Sequence, residues 1–151
     1  MHRTYETDEI TIFWNSDKCR HAKMCVNGYP QVFEFARRPW IILDGADSSR
    51  IWKTIDKCPS GALGITYNHD IEVRLIADEN RSAAFDKDKE IGECDYSIAD
   101  GECRITHTHV LPEYSGRHIA KRLVYKVFEQ AERQGLNIVP VCSYAAKVYS
   151  S

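Results

Sequence analysis

Hydrophobic and polar positions divide this chain into two differently built stretches. Glu9 to Trp14 is β-branched and aromatic, which predicts a strand broken at Asn15-Ser16-Asp17. Pro39 to Leu43 predicts a second strand, ended by Asp44-Gly45. Ile51, Trp52 and Ile55 form an apolar stripe on a helix that Asp47 or Ser48 can cap. That helix stops before Cys58-Pro59, because the residue preceding a proline disfavours the helical region. Ile65 to Tyr67 closes the unit as a short strand. Ile71 to Ile76 alternates and predicts a linking strand that fits either side of a boundary between about 70 and 78.

Beyond the boundary, Arg81 to Phe85 predicts a strand. Cys94–Ile98 and Cys103–Val110 flank Asp100-Gly101, a strong hairpin signal. Pro112 ends the hairpin, and Gly116 to Gln134 is the clearest helix. Ala120, Val124, Val127, Phe128 and Ala131 share one of its faces, with Gly135 as the C′ residue. Leu136 to Cys142 predicts a buried strand, and Tyr144 to Tyr149 the start of a last helix.

Composition changes this picture little. Basic and acidic residues number 20 and 22, a net charge of −2, which gives no electrostatic footprint for nucleic acid. No apolar run approaches the roughly 18–20 residues that span a bilayer. The first residues, Met1 to Glu6, lack the apolar core of a signal peptide, so the expectation is a cytoplasmic protein. Thiols stay reduced there, and the six cysteines are then read as ligands, reactive thiols or buried residues rather than bridges.

Cys19 and Cys25 lie close together, and Cys58 precedes a proline. Close-spaced cysteines with a distant one before proline suit a thiolate cage on iron. With His21 as fourth ligand, the same residues would make a zinc site of three sulfurs and one nitrogen. In the second half, a strand ending His107-Thr108-His109-Val110 runs through Pro112 and Gly116-Arg117-His118 into a helix. Such a turn presents free N–H groups and a positive dipole end to an anion. Cys103, like Cys94, flanks the hairpin and reads as structural.

Asp17, Cys19, Cys25, Pro30, Val32-Phe33, Pro39-Trp40-Ile41 and Cys58-Pro59-Ser60-Gly61-Ala62-Leu63 give residues 8–70 their character. This segment resembles divergent single-cluster ferredoxin-like domains. The resemblance implies an iron–sulfur cluster held by Cys19, Cys25 and Cys58. The usual middle cysteine is Ala22 here. Three thiolates suit a 3Fe–4S cluster, or a 4Fe–4S cluster whose fourth ligand is His21, water or another molecule.

Residues 78–151 resemble short GNAT-type N-acetyltransferases. Cys94-Asp95-Tyr96, Ile105 to Thr108, Val110, Pro112-Glu113, Gly116, Ile119-Ala120, Leu123-Val124 and Val139 to Tyr144 carry the resemblance. It implies acetyl-CoA held at Val110, Ser115, Gly116, Arg117, His118, Ile119 and Ala120, with its pantetheine arm between the strands at 105–110 and 137–142. Acyl transfer to an amine needs a proton route, a thioester partner and an acid. His107 with His109 and Glu93, Cys142, and Tyr144 are the candidates in that order. Two positions depart from the family pattern: His109 replaces an acidic residue and His118 a second glycine.

The expectation is therefore an α+β protein, a small ferredoxin-like iron–sulfur domain followed by a minimal GNAT-like α/β domain. Its expected function is acetyl-CoA-dependent N-acetylation of an unknown amine, with the cluster domain regulating or docking it. The alternative is an electron-transfer or redox-sensing protein with a redox partner and a non-catalytic acetyltransferase-like scaffold. No nucleic-acid or membrane partner is expected.

Overall fold

The computed structural model describes residues 2–7, 9–15, 31–34, 41–43, 48–56 and 63–150. The chain forms two compact units, residues 3–67 and residues 68–151.

In the first unit, β1 (His2–Glu6), β2 (Ile10–Asn15) and β3 (Leu63–Tyr67) form a sheet in that order. β2 and β3 are antiparallel, with Ile10 opposite Tyr67 and Trp14 opposite Leu63. As the central strand, β2 is buried along its whole length, Thr11 and Asn15 included. Ile10, Ile12 and Trp14 alternate along it and enter one core with Val32, Phe33, Ile41, Ile51, Ile55 and Leu63. Helix α1 (Ser48–Asp56) brings Ile51 and Ile55 to that core. Its Trp52 ring stacks on Tyr67 at 4.9 Å.

The strand expected at 39–43 is described only from Ile41 onward, where it makes a single bridge to Phe33. β1 carries no apolar pattern that announces a strand; its sequence is His-Arg-Thr-Tyr-Glu, and its place beside β2 makes it one. Cys19, His21, Ala22, Cys25 and Cys58 lie outside the described residues.

The second unit is an antiparallel meander of β4 (Ile71–Ile76), β5 (Arg81–Asp86), β6 (Lys89–Ala99) and β7 (Glu102–Val110). Helix α2 (Ile119–Arg133) then carries the chain to β8 (Asn137–Pro140), which pairs in parallel with β7, and α3 (Ser143–Ser150) comes last. Asp100 and Gly101 form the predicted hairpin turn, with φ of 53° and 75°. β4, which the sequence allows on either side of the boundary, is the first strand of this sheet.

Helix α2 buries Leu123, Val124, Val127, Phe128 and Ala131. It is also held by hydrogen bonds: Ser82 Oγ donates to Leu123 O at 2.8 Å, and Arg122 Nη2 donates to Ile71 O at 2.9 Å. Gly135 (φ 70°) ends it, with Leu136 N–H reaching back to Ala131 O at 2.9 Å. That is the six-residue closure that needs a left-handed C′ residue.

The β6–β7 ladder is interrupted at Thr106. Asp95 opposes His107 and Tyr96 opposes Ile105, so Thr106 has no cross-strand partner. An extra residue in one strand reverses the inside–outside alternation beyond it. Cys103 and Ile105 are buried, Thr106 and His107 are both exposed, and Thr108 and Val110 then turn inward.

Cys94 and Cys103 are buried in this unit, and burial pushes their thiols from 9.0 up to about 12 and about 11. A group whose folded pKa is raised contributes stability that is complete below its unfolded value and is lost as pH climbs towards the folded value. Urea midpoints of the second unit should therefore fall between about pH 8 and pH 11, and Cys94→Ala should flatten that slope. Equal slopes for the parent and the variant would contradict this assignment.

Candidate functional site

Where β7 and β8 part, the second unit opens. Their ladder runs only from Glu102–Asn137 to Ile105–Pro140. It ends as Val141 N–H and Cys142 N–H both reach Ile105 O, at 3.0 and 2.9 Å. β7 continues to Val110 alongside β6, so no described strand covers its other edge beyond Ile105. The bulge at Thr106 turns Thr108 and Val110 towards the α2 side of this edge. A Cβ at Gly92 would sit 3.0 Å from His109 O, 3.1 Å from Val110 Cγ2 and 3.3 Å from Leu123 Cδ1. A side chain at position 92 would thus crowd the place where α2 closes onto β6 and β7.

Cys142 lies at this opening and starts helix α3, its carbonyl accepting from Ala146 N–H at 3.0 Å. Its Sγ is 3.7 Å from Thr108 Oγ1, which lies 3.5 Å from Cys94 Sγ. Burial acts to raise the Cys142 thiol. Hydrogen bonds from the Ala145 backbone, the Thr108 hydroxyl and the backbones of Tyr144 and Thr108 outweigh it, and the thiol is held below its ordinary value. A thiolate at a helix N-terminus is stabilised by free N–H groups and the helix dipole. Two residues on, half-buried Tyr144 is shifted the other way: burial raises its phenol and keeps it protonated.

The connection from β7 to α2 forms the second part. Leu111 N–H donates to Ile91 O at 2.9 Å, and Pro112–Tyr114 makes a single 3₁₀ turn closed by Ser115 N–H on Pro112 O. Gly116 comes next at φ 80°, and nothing lies within 4 Å of where its Cβ would be. His118 is the N-cap of α2 in the left-handed region, φ 57° and ψ 22°, and its side chain makes no capping bond. The N–H groups of Ile119 and Ala120 in the first turn have no intrahelical acceptor. Arg117 stands beside them with its guanidinium 5.4 Å from the Tyr114 ring. The Tyr114 hydroxyl in turn donates to the Asp86 carboxylate.

These features fit a pyrophosphate: free amides, a nearby cation, a glycine with open space and an aligned helix dipole. Ile119 is 2% exposed, so it can offer only its N–H.

Cys142 and Tyr144 lie two residues apart at the start of α3, where the β7–β8 ladder ends, and Val110 is the last residue of the uncovered part of β7. Ser115 to Ala120 form the adjacent turn. His107 stands apart: it is exposed, and it alternates with Thr108, so its ring lies on the opposite sheet face. Thr108, which touches both Cys142 and Cys94, received no role from the sequence. Its signal is the bulge, which shows only once β6 and β7 are paired.

Residues 5–68 match the family model of a divergent 4Fe-4S mono-cluster. Residues 81–151 match that of the GCN5-related N-acetyl-transferases. Uncharacterized protein YjdI of Escherichia coli K12 is 40% identical over 68 residues, which is 45% of this chain and 87% of that protein. The Escherichia coli O157:H7 protein of the same name matches equally. Among solved structures, a GCN5-like protein of Staphylococcus aureus is 30% identical, covering 52% of this chain and 78% of that one, with a TM-score of 0.43. A GCN5-related N-acetyltransferase from Sphaerobacter thermophilus is 27% identical over 40% of this chain, with a TM-score of 0.38. This chain spans only 20% of that protein's length. Among the described residues, no helix is long and apolar enough to cross a membrane. The chain belongs to the divergent 4Fe-4S mono-cluster family through residues 5–68, and its residues 81–151 match the GCN5-related N-acetyl-transferases.

Proposed function

We propose that the second domain binds acetyl-CoA and passes its acetyl group to an amine by way of Cys142. One observation carries this reading: the Cys142 thiol sits at the N-terminus of α3, where the β7–β8 ladder ends, within 3.7 Å of the Thr108 hydroxyl. The pyrophosphate rests on the Ile119 and Ala120 amides and on Arg117. The pantetheine arm runs along the uncovered edge of β7 past Val110. The Cys142 thiolate attacks the thioester carbonyl carbon, the carbon–sulfur bond to CoA breaks, and the departing thiolate takes the Tyr144 proton. The acceptor amine then attacks the acyl-cysteine, the thiolate returns, and the amine's proton goes to Tyr144. Thr108 donates to the Cys142 sulfur in its ionised state, and Cys94, raised to about 12, stays a neutral neighbour. His107 takes no part in this route, because its ring faces the other side of the sheet.

The first domain carries the iron–sulfur cluster on Cys19, Cys25 and Cys58, and regulates or docks the transferase. Ala22 leaves one iron of a 4Fe–4S cluster without a cysteine. His21 or a non-protein ligand completes it. A second reading, electron transfer or redox sensing with a scaffold that does no chemistry, is favoured by His118. That residue occupies a left-handed position usually given to glycine, which narrows the approach of a phosphate.

Intact-protein mass spectrometry after mixing with acetyl-CoA decides between the two. The transferase reading expects one acetyl group, mapped to Cys142 and discharged by an amine. Cys142→Ala should abolish it and lower turnover by roughly a thousandfold or more. Absence of label and of transfer to any amine in a broad panel supports the scaffold. His118→Gly removes the left-handed strain and should stabilise the domain by about 1 kcal/mol in urea unfolding. Calorimetry should show it binding CoA more tightly as well. Cys19→Ala should remove the visible chromophore of anaerobically purified protein while CoA affinity stays unchanged.

A further inference from the structure

The sheet face opposite α2 carries a second group of chemically active side chains. Gly92 faces Leu123 of α2 and Val110, so the residues alternating with these, Glu93 and Asp95 on β6 and His107 and His109 on β7, face away from the helix. Register makes them a two-by-two patch: Glu93 opposes His109 and Asp95 opposes His107. The bulge at Thr106 is what sets His107 and His109 on this face rather than on the face of Ile105.

We propose that Glu93, Asp95, His107 and His109 bind a divalent transition-metal ion of the zinc class. Donor atoms of Glu93, Asp95 and His107 all lie within 4.8 Å of one another. Three points so spaced lie within about 2.8 Å of a common centre, against zinc bonds of about 2.0–2.2 Å to nitrogen and carboxylate oxygen. Shifts of under an ångström at each donor therefore bring all three onto one ion. The His109 ring lies 12° from parallel to that of His107, with centroids 6.2 Å apart, and supplies the fourth donor from the same strand face. Two imidazoles select zinc, nickel or copper over magnesium and calcium, which take oxygen ligands.

Glu93 has one neighbour with a claim on it, Arg81 Nη1 at 3.4 Å. That same nitrogen is closer to Glu90, at 2.7 Å, so it keeps a carboxylate partner when Glu93 turns to a metal. The two imidazoles are exposed, and an ion reaches the patch without unfolding any element. The patch is independent of the Cys142 site: Thr108 and His107 are neighbours in sequence but face opposite sides of the sheet.

Zinc titration of the full chain by calorimetry tests this, alongside Asp95→Asn and His107→Ala. Any zinc taken by Cys19, Cys25 and Cys58 is common to all three proteins and cancels. The parent should bind one equivalent that each variant binds at least tenfold more weakly, with nearly unchanged thermal melting because His107 is exposed and Asp95→Asn keeps the size and polarity of a half-buried side chain. Identical isotherms in the parent and both variants would overturn the proposal. Copper(II) added below one equivalent to the parent gives a reading that needs no variant. It should broaden the NMR signals of residues 93, 95, 107 and 109 before others in the second domain. Broadening that begins elsewhere in that domain would overturn the proposal as well.

Discussion

No residue of β6 lies opposite Thr106 in the register, and which side chains share a face of the second domain depends on that fact. A strand shows alternate residues to opposite faces, so one inserted residue exchanges the faces of everything after it. Before the bulge, Cys103 and Ile105 fill the core beneath α2. After it, Thr108 and Val110 take the inner face and His107 and His109 the outer one. With regular pairing, both histidines would be forced under the helix and Thr108 would point away from Cys142.

The same region shows how backbone hydrogen bonding leaves a strand edge uncovered. β8 is short, and Pro140 is its last paired residue. Two successive amides, Val141 and Cys142, converge on the single Ile105 carbonyl, and the chain turns at once into α3. The two strands then separate, leaving the far part of β7 with one neighbour only among the described elements. A ligand with amide groups of its own can lie along such an edge. The thiol that begins α3 stands at its mouth, tuned by the amides of a helix start and by the hydroxyl that the bulge turned inward. Packing must hold this arrangement in place, and it does so through Gly92, which lets α2 approach, and through the buried bonds of Ser82 and Arg122.

The first domain rests on a different balance. Its described core is nine buried residues drawn from short segments, centred on β2. So small a unit gains little from burial alone, and a covalent or metal staple is the usual complement. The family match over residues 5–68 agrees with that physics, and so does the grouping of Cys19, Cys25 and Cys58 in its sequence.

Sequence alone determined what depends on neighbours along the chain. The Asp100-Gly101 hairpin, the apolar face of α2 with Gly135 behind it, β2 as a strand and the apolar stripe of α1 all come from local preferences and periodicity. The positions of the Gly116 turn before α2 and of Cys142 just after β8 were legible for the same reason, since a glycine before a helix and a cysteine at a strand end are local signals. β1 was not, because its polar residues become a strand only by pairing with β2. Nor were the face of His107 or the role of Thr108. Both depend on an unpaired residue, and a residue is unpaired only with respect to another strand. Periodicity read along β7 alone places His107 with Ile105; only the tertiary register with β6 moves it to the other side.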